Sequence, residues 1–129
     1  MAWHAGVLQQ LEDSGLFSEV KLSGGKVRAT VSTRQFLDIH YDPTTQSYSY
    51  ALIDLSLPYP GDKRILGWDD YPHPGQPELA KLETHPHHYQ ERLPDGTRAI
   101  QPSAFRGNVA QEIGIVVEHL SAYLARHNP

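Results

Sequence analysis

An apolar stripe near the C-terminal end sets the first requirement on the fold. Val109, Ile113, Val116, Val117, Leu120, Tyr123 and Leu124 recur at spacings of three and four. That period predicts a helix of about five turns with one broad apolar face. Asn108 stands just ahead of it as a candidate N-cap, because a short polar side chain there can hold a free N–H of the first turn. A face this wide must be covered by something of similar extent.

The rest of the chain supplies that cover as strands. Val20 and Leu22 alternate with Glu19 and Lys21, and Gly24-Gly25 is a two-residue hairpin signal. Val27, Ala29 and Val31 alternate with Lys26, Arg28 and Thr30. Leu37, Ile39 and Tyr41 share one side of a strand from Phe36 to Tyr41, and Asp42-Pro43-Thr44-Thr45 is turn chemistry. Tyr48 to Leu57 has strong strand composition, with Tyr48, Tyr50 and Leu52 alternating against Ala51, Ile53 and Leu55. Pro58 to Asp62 ends that run, and Lys63 to Trp68 reads as a further strand. Three prolines and a glycine between Asp69 and Pro77 argue against regular structure there. Leu82 to Arg92 reads as extended, and Leu93 to Thr97 as a turn. At the other end, Trp3, Val7, Leu8 and Leu11 fall at helical spacing, with Gly15 as a stop. The expectation is a single α+β domain over residues 1–129. An antiparallel meander of about five to seven strands packs against a long C-terminal helix and a short N-terminal one.

Composition removes several classes of function. The 129 residues include no cysteine, which excludes disulfides, thiolate metal sites and a catalytic thiol. Eleven Lys and Arg against fifteen Asp and Glu leave a net charge of −4, so a globally basic nucleic-acid surface is not expected. No run approaches the roughly 20 apolar residues of a membrane span. The segment from Met1 to Gln10 lacks the basic flank and apolar run of a signal peptide. The expectation is a cytoplasmic protein with no membrane partner. No phosphate-binding glycine loop and no nucleophile elbow is present. The chain does hold eight histidines, and their placement carries the chemical interest.

The densest polar cluster runs from Trp68 to Arg98. If Glu83 to Glu91 is extended, His85 and His87 project from one face about 7 Å apart, two strand residues on. Two such imidazoles can chelate one ion. With Asp70 as carboxylate they form a candidate metal set, Asp69 and His73 being alternatives for the third ligand. Two nitrogens, an oxygen and an open position suit a divalent metal such as Zn, Mn or Fe. Without a metal, histidines that titrate near neutrality can serve as general acid and base, for instance in cleaving RNA at a 2′-hydroxyl. Arg92, Arg98 or Arg106 would then grip phosphate through a bidentate fork. A third reading is a wet, proline-punctuated loop in which histidine is a polar filler. The tyrosines suggest base stacking, but Tyr48 and Tyr50 fit a sheet core better.

Two segments of this cluster resemble those of the TumE family of toxins from bacterial and archaeal toxin–antitoxin pairs. Trp68-Asp69-Asp70-Tyr71-Pro72-His73-Pro74 is similar to that family's Tyr-Asp-Asn-x-x-His-His segment. Thr84-His85-Pro86-His87-His88-Tyr89-Gln90 is similar to its Pro-His-His-x-His segment. Asp69, His73, His87 and His88 match. Asp70 stands for the usual Asn, Pro74 for the second His, and Gln90 for a later His. The resemblance implies a toxin, an antitoxin partner with a DNA-binding domain, and interference with nucleic acid or translation; the histidine cluster adds RNA as the expected substrate. Clustering and resemblance together make His73, His87, His88 and Asp69 the candidate catalytic residues, with Arg92 and Arg98 as phosphate contacts. The rival expectations are a non-enzymatic protein-binding module, or inactive homologue, and a metal-dependent small-molecule enzyme. Exposed strand edges would allow a homodimer.

Overall fold

The turn signals of the sequence close hairpins between neighbouring strands. In the computed structural model, which describes residues 3–127, α1 (His4–Asp13) leads into β1 (Glu19–Ser23), β2 (Lys26–Thr30), β3 (Gln35–Asp42), β4 (Ser47–Asp54) and β5 (Arg64–Asp69). Then follow α2 (Pro77–Ala80), β6 (His88–Arg92), β7 (Arg98–Pro102) and α3 (Val109–His127). Met1 and Ala2, the start of the segment tested for a signal peptide, lie outside the described residues, as do Asn128 and Pro129. The seven strands form one sheet in the order β1-β2-β3-β4-β5-β6-β7. Every neighbouring pair is antiparallel. Gly24 and Gly25 both have positive φ, 58° and 85°, which the tight β1–β2 turn requires and other residues resist.

Register sorts the side chains between two faces. Val27 opposes Ile39, Ala29 opposes Leu37, Leu37 opposes Leu52, and Ile39 opposes Tyr50. Tyr50 in turn opposes Trp68, which opposes Tyr89. All of these are buried, together with Val7 and Leu11 of α1 and Val109, Ile113, Val116, Leu120, Tyr123 and Leu124 of α3. The C-terminal stripe is therefore covered by the meander, as its width demanded. No helix among the described residues is long and apolar enough to cross a membrane.

Three local readings change. Leu82 to Arg92 is extended only from His88; Leu82 to His87 is a run of turns. Its amides bond backward, Leu82 N to Leu79 O, His85 N to Leu82 O and His87 N to Thr84 O, and Pro86 has no N–H to give a sheet ladder. His85 and His87 therefore do not share a strand face. β7 has no counterpart among the expected elements; it follows the turn at Leu93 to Thr97 and pairs with β6. Leu22 is 52% exposed, because β1 is the outer strand and little lies over its end.

One partly buried polar chain on the helix side has a consequence for stability. The Tyr89 hydroxyl donates to Glu91 Oε1 at 2.7 Å and meets His119 Nε2 at 3.0 Å. The His119 ring also stands edge-on to Trp68 at 5.0 Å. Burial lowers the pKa of His119; the Glu91 charge opposes the shift and Arg126 adds to it. An imidazole whose folded pKa is depressed binds fewer protons folded than unfolded once pH drops below its free value of about 6.5. The melting temperature is expected to be flat above that pH and to fall below it. His119→Gln should make the fall shallower. Thermal melts from pH 8 to 5 on both proteins check this, and identical slopes would remove His119 as a source.

Candidate functional site

The face of the sheet opposite the core carries the polar residues of the alternating strands. Ser49 opposes Asp69, and Asp69 opposes His88 across β4, β5 and β6. Ala51 opposes Gly67, and Gly67 opposes Gln90. Gly67 permits the close approach of β4 and β5, since a methyl group there would lie 2.8 Å from the Tyr50 carbonyl oxygen. Asp69 is the last residue of β5 and is 4% exposed. The chain then leaves the sheet, and at His73 the backbone turns left-handed with φ of 46°. That conformation costs a non-glycine residue about 1–3 kcal/mol. It returns the imidazole over the strand end, edge-on to His88 at 5.1 Å between ring centres.

Asp69 is the hub of this arrangement. Its Oδ2 accepts from Arg64 Nη1 at 2.8 Å, and its Oδ1 accepts the Tyr71 backbone N–H at 2.9 Å. Oδ1 also lies 3.3 Å from His88 Nε2 and 3.8 Å from His73 Nε2. Burial pushes the His73 pKa down; Asp69 opposes this, while His88, Arg64 and Arg98 reinforce it, and the net effect is a lowering. A cleft of about 280 Å³ opens beside the trio, with Arg64, Asp69, His73, Gln90 and Arg98 in its lining. Arg98 donates to Asp62 Oδ2 at 2.6 Å. Burial raises the Asp62 pKa, but the Arg64 N–H and the Arg64 and Arg98 charges outweigh it, holding the carboxyl below its usual range.

The other sequence candidates sit elsewhere. Asp70 also borders the cleft, but its Oδ1 accepts from Ser47 Oγ at 2.8 Å, tying it to the start of β4. His85 is exposed, and its Nδ1 donates to the Leu79 carbonyl at 3.1 Å. His87 stacks on Tyr48 with planes 9° apart. The Tyr48 hydroxyl gives its proton to the Phe105 carbonyl, so His87 Nδ1 is the donor to that hydroxyl, at 3.0 Å. The candidate metal set His85, His87 and Asp70 therefore does not converge, because its premise was a shared strand face and these residues lie in turns. The three groups that do converge are Asp69, His73 and His88, whose ligand atoms all lie within 4.8 Å of one another.

Arg92 is occupied as well. Its three nitrogens donate to the carbonyls of Arg64, Gly96 and Asp62, and its guanidinium lies 4.9 Å over the Tyr59 ring. This braces the β6–β7 turn. Arg106 Nη1 turns back onto the Ser103 and Phe105 carbonyls. Tyr48 and Tyr50 are core residues. Arg64 was missed from the sequence, where it is one basic residue at the start of a strand. Only its reach along the sheet to Asp69, five residues on, gives it a place in the site.

No curated protein matches this chain, and no solved structure does. A family model described as Toxin TumE matches residues 7–120.

Proposed function

This chain belongs to the TumE toxin family, which implies an antitoxin partner, and from that premise we propose that it acts by cleaving RNA at the cleft over β5 and β6. The observation that carries the reading is the convergence of one carboxylate and two imidazoles beside a cleft that also holds Arg64 and Arg98. In the reaction the 2′-oxygen attacks phosphorus in line, and the bond to the 5′-oxygen breaks. The 2′-proton passes to His73 and the leaving 5′-oxygen takes a proton from solvent in the open cleft, giving a 2′,3′-cyclic phosphate and a 5′-hydroxyl. His73, with a side chain 21% exposed, is the member a substrate can reach; Asp69 and His88 are buried beneath it and act through it as positioning residues. The arginines offset charge on the phosphoryl oxygens.

The same reading takes the antitoxin to carry a DNA-binding domain. It also allows two copies to pair through the outer edges of β1 or β7, which end the sheet. The rival reading is a non-enzymatic module that works by binding a protein. One observation favours it: both cleft arginines are already paired, Arg64 with Asp69 and Arg98 with Asp62.

The test is cleavage of RNA by tag-free protein, with a 2′-deoxy substrate as control. Wild type should produce cyclic phosphate ends from RNA and leave the deoxy substrate intact. His73→Ala should lose about 100-fold or more in rate, the usual scale for a lost proton-transfer group, and His85→Ala should match wild type. Equal rates for wild type and His73→Ala would remove the cluster from the reaction. An inert protein that still binds its antitoxin would transfer the assignment to the binding module.

A further inference from the structure

His88 raises a question of protons. Its side chain is 1% exposed, and its Nδ1 lies 2.9 Å from the Pro86 carbonyl oxygen. A carbonyl only accepts, so Nδ1 carries the hydrogen, and the neutral ring keeps its lone pair on Nε2. That Nε2 is buried, has no hydrogen-bond partner and faces Asp69 Oδ1 at 3.3 Å. Two electron pairs turned toward each other in a dry site are unfavourable unless something positive lies between them. The Nε2 of His73 is likewise buried, without a hydrogen-bond partner, and 3.8 Å from the same oxygen.

A proton shared by His88 and Asp69 would resolve only the first of these contacts. A cation resolves both. We propose that Asp69, His73 and His88 bind one divalent transition-metal cation, His73 Nε2, His88 Nε2 and Asp69 Oδ1 being the ligand atoms. Bond lengths of about 2.0–2.2 Å set tetrahedral ligand atoms roughly 3.3–3.6 Å apart, and the two imidazole nitrogens already lie 3.3 and 3.8 Å from Asp69 Oδ1, with all three atoms within 4.8 Å of one another. The surroundings are those of a prepared site. Pro86 fixes the His88 tautomer, and Arg64 with the Tyr71 N–H orients the carboxylate. Two imidazoles and one carboxylate favour Zn²⁺ or Mn²⁺ over Mg²⁺ and Ca²⁺, which take oxygen ligands. Three protein ligands leave a position open, on the cleft side where His73 stands, for water or a substrate oxygen.

The inference stands on the cluster alone and rests on the RNA reading only for its consequence. There, an oxygen held on the ion would be the group that takes the 2′-proton, in place of a bare imidazole.

The experiment is a Zn²⁺ titration of the full chain, purified without a histidine tag and freed of metal with a chelator, followed by calorimetry. Mg²⁺ serves as the comparison ion. One equivalent of Zn²⁺ should bind. His73→Ala should bind about 100-fold more weakly or worse, in keeping with the loss of a direct ligand. His85→Ala and His87→Ala should bind as wild type does. Should His88→Ala fail to fold, His73→Ala and Asp69→Asn decide the matter. Wild type without stoichiometric Zn²⁺, or His73→Ala with wild-type affinity, overturns the site. One Zn²⁺ bound by an RNA-inert protein upholds the site and removes the RNA reading. RNA cleavage undiminished in chelator upholds the RNA reading and removes the ion from that reaction, leaving the titration to decide the site.

Discussion

Asp69→Asn is expected to yield a folded protein that no longer inhibits growth, and Asp69→Ala one that struggles to fold. The carboxylate meets four groups: Arg64 and the Tyr71 N–H by hydrogen bonds, and His73 and His88 at 3.8 and 3.3 Å. Alanine leaves the Arg64 guanidinium without its partner in a largely buried setting, and breaking such a pair costs about 3–5 kcal/mol. Asparagine keeps an acceptor oxygen for Arg64 or Tyr71 and preserves the volume, so most of the fold should survive. It removes the negative charge that holds the two imidazoles to one point. Growth arrest after induced expression should fall by roughly 100-fold or more, while circular dichroism and antitoxin binding stay close to wild type. Full toxicity in Asp69→Asn would detach the cluster from function.

The second large effect is expected on the far side of the sheet. Glu112 is 6% exposed, yet it lies in the first turn of α3 among apolar neighbours. Its Oε1 accepts the Tyr50 hydroxyl at 2.7 Å, and its Oε2 accepts the Arg106 backbone N–H at 2.8 Å. One carboxylate thus fastens the helix to β4 and to the loop before it. Burial first, and then the Glu112 bond and charge, push the Tyr50 hydroxyl far above its usual pKa, which keeps it a donor. Glu112→Ala strands the buried Tyr50 hydroxyl and the partly buried Arg106 N–H and should cost about 3–5 kcal/mol, since hydrogen bonds to a charged group are each worth about 1.5–3. Tyr50→Phe removes one of the two bonds and should cost less. Urea unfolding of both variants measures this; a loss under about 1 kcal/mol for Glu112→Ala would mean that water replaces the carboxylate.

These two carboxylates illustrate what could be read in advance. Asp69 was singled out from the chain because it opens a histidine-rich segment with a family likeness. Glu112 was not, because a charged residue at a helix start reads as an ordinary favourable placement near the helix dipole. Its burial depends on Tyr50, sixty-two residues away. The histidines divide in the same manner. All of His73, His85, His87 and His88 were visible as a cluster, but which of them meet depends on backbone direction. A strand would have placed His85 beside His87. Turns from Leu82 to His87 instead start the strand at His88, so that His88 lies opposite Asp69.

The two sustained signals of the sequence, the C-terminal stripe and the alternation through β1 to β5, were enough for the architecture, while β7 and the start of β6 were not written in it. Alternation of period two, hairpin glycines and one helical stripe are local signals. Each acts over a few residues, and together they admit little besides an antiparallel sheet under a long helix. The family likeness was local as well, carried by two short motifs. The composition of the site was decided only in the tertiary structure. Asp69 and His88 are joined by strand register, His73 by a left-handed turn, and Arg64 by reach along the sheet. None of these is a short-range property, because each depends on where a distant segment comes to rest against the strand that receives it.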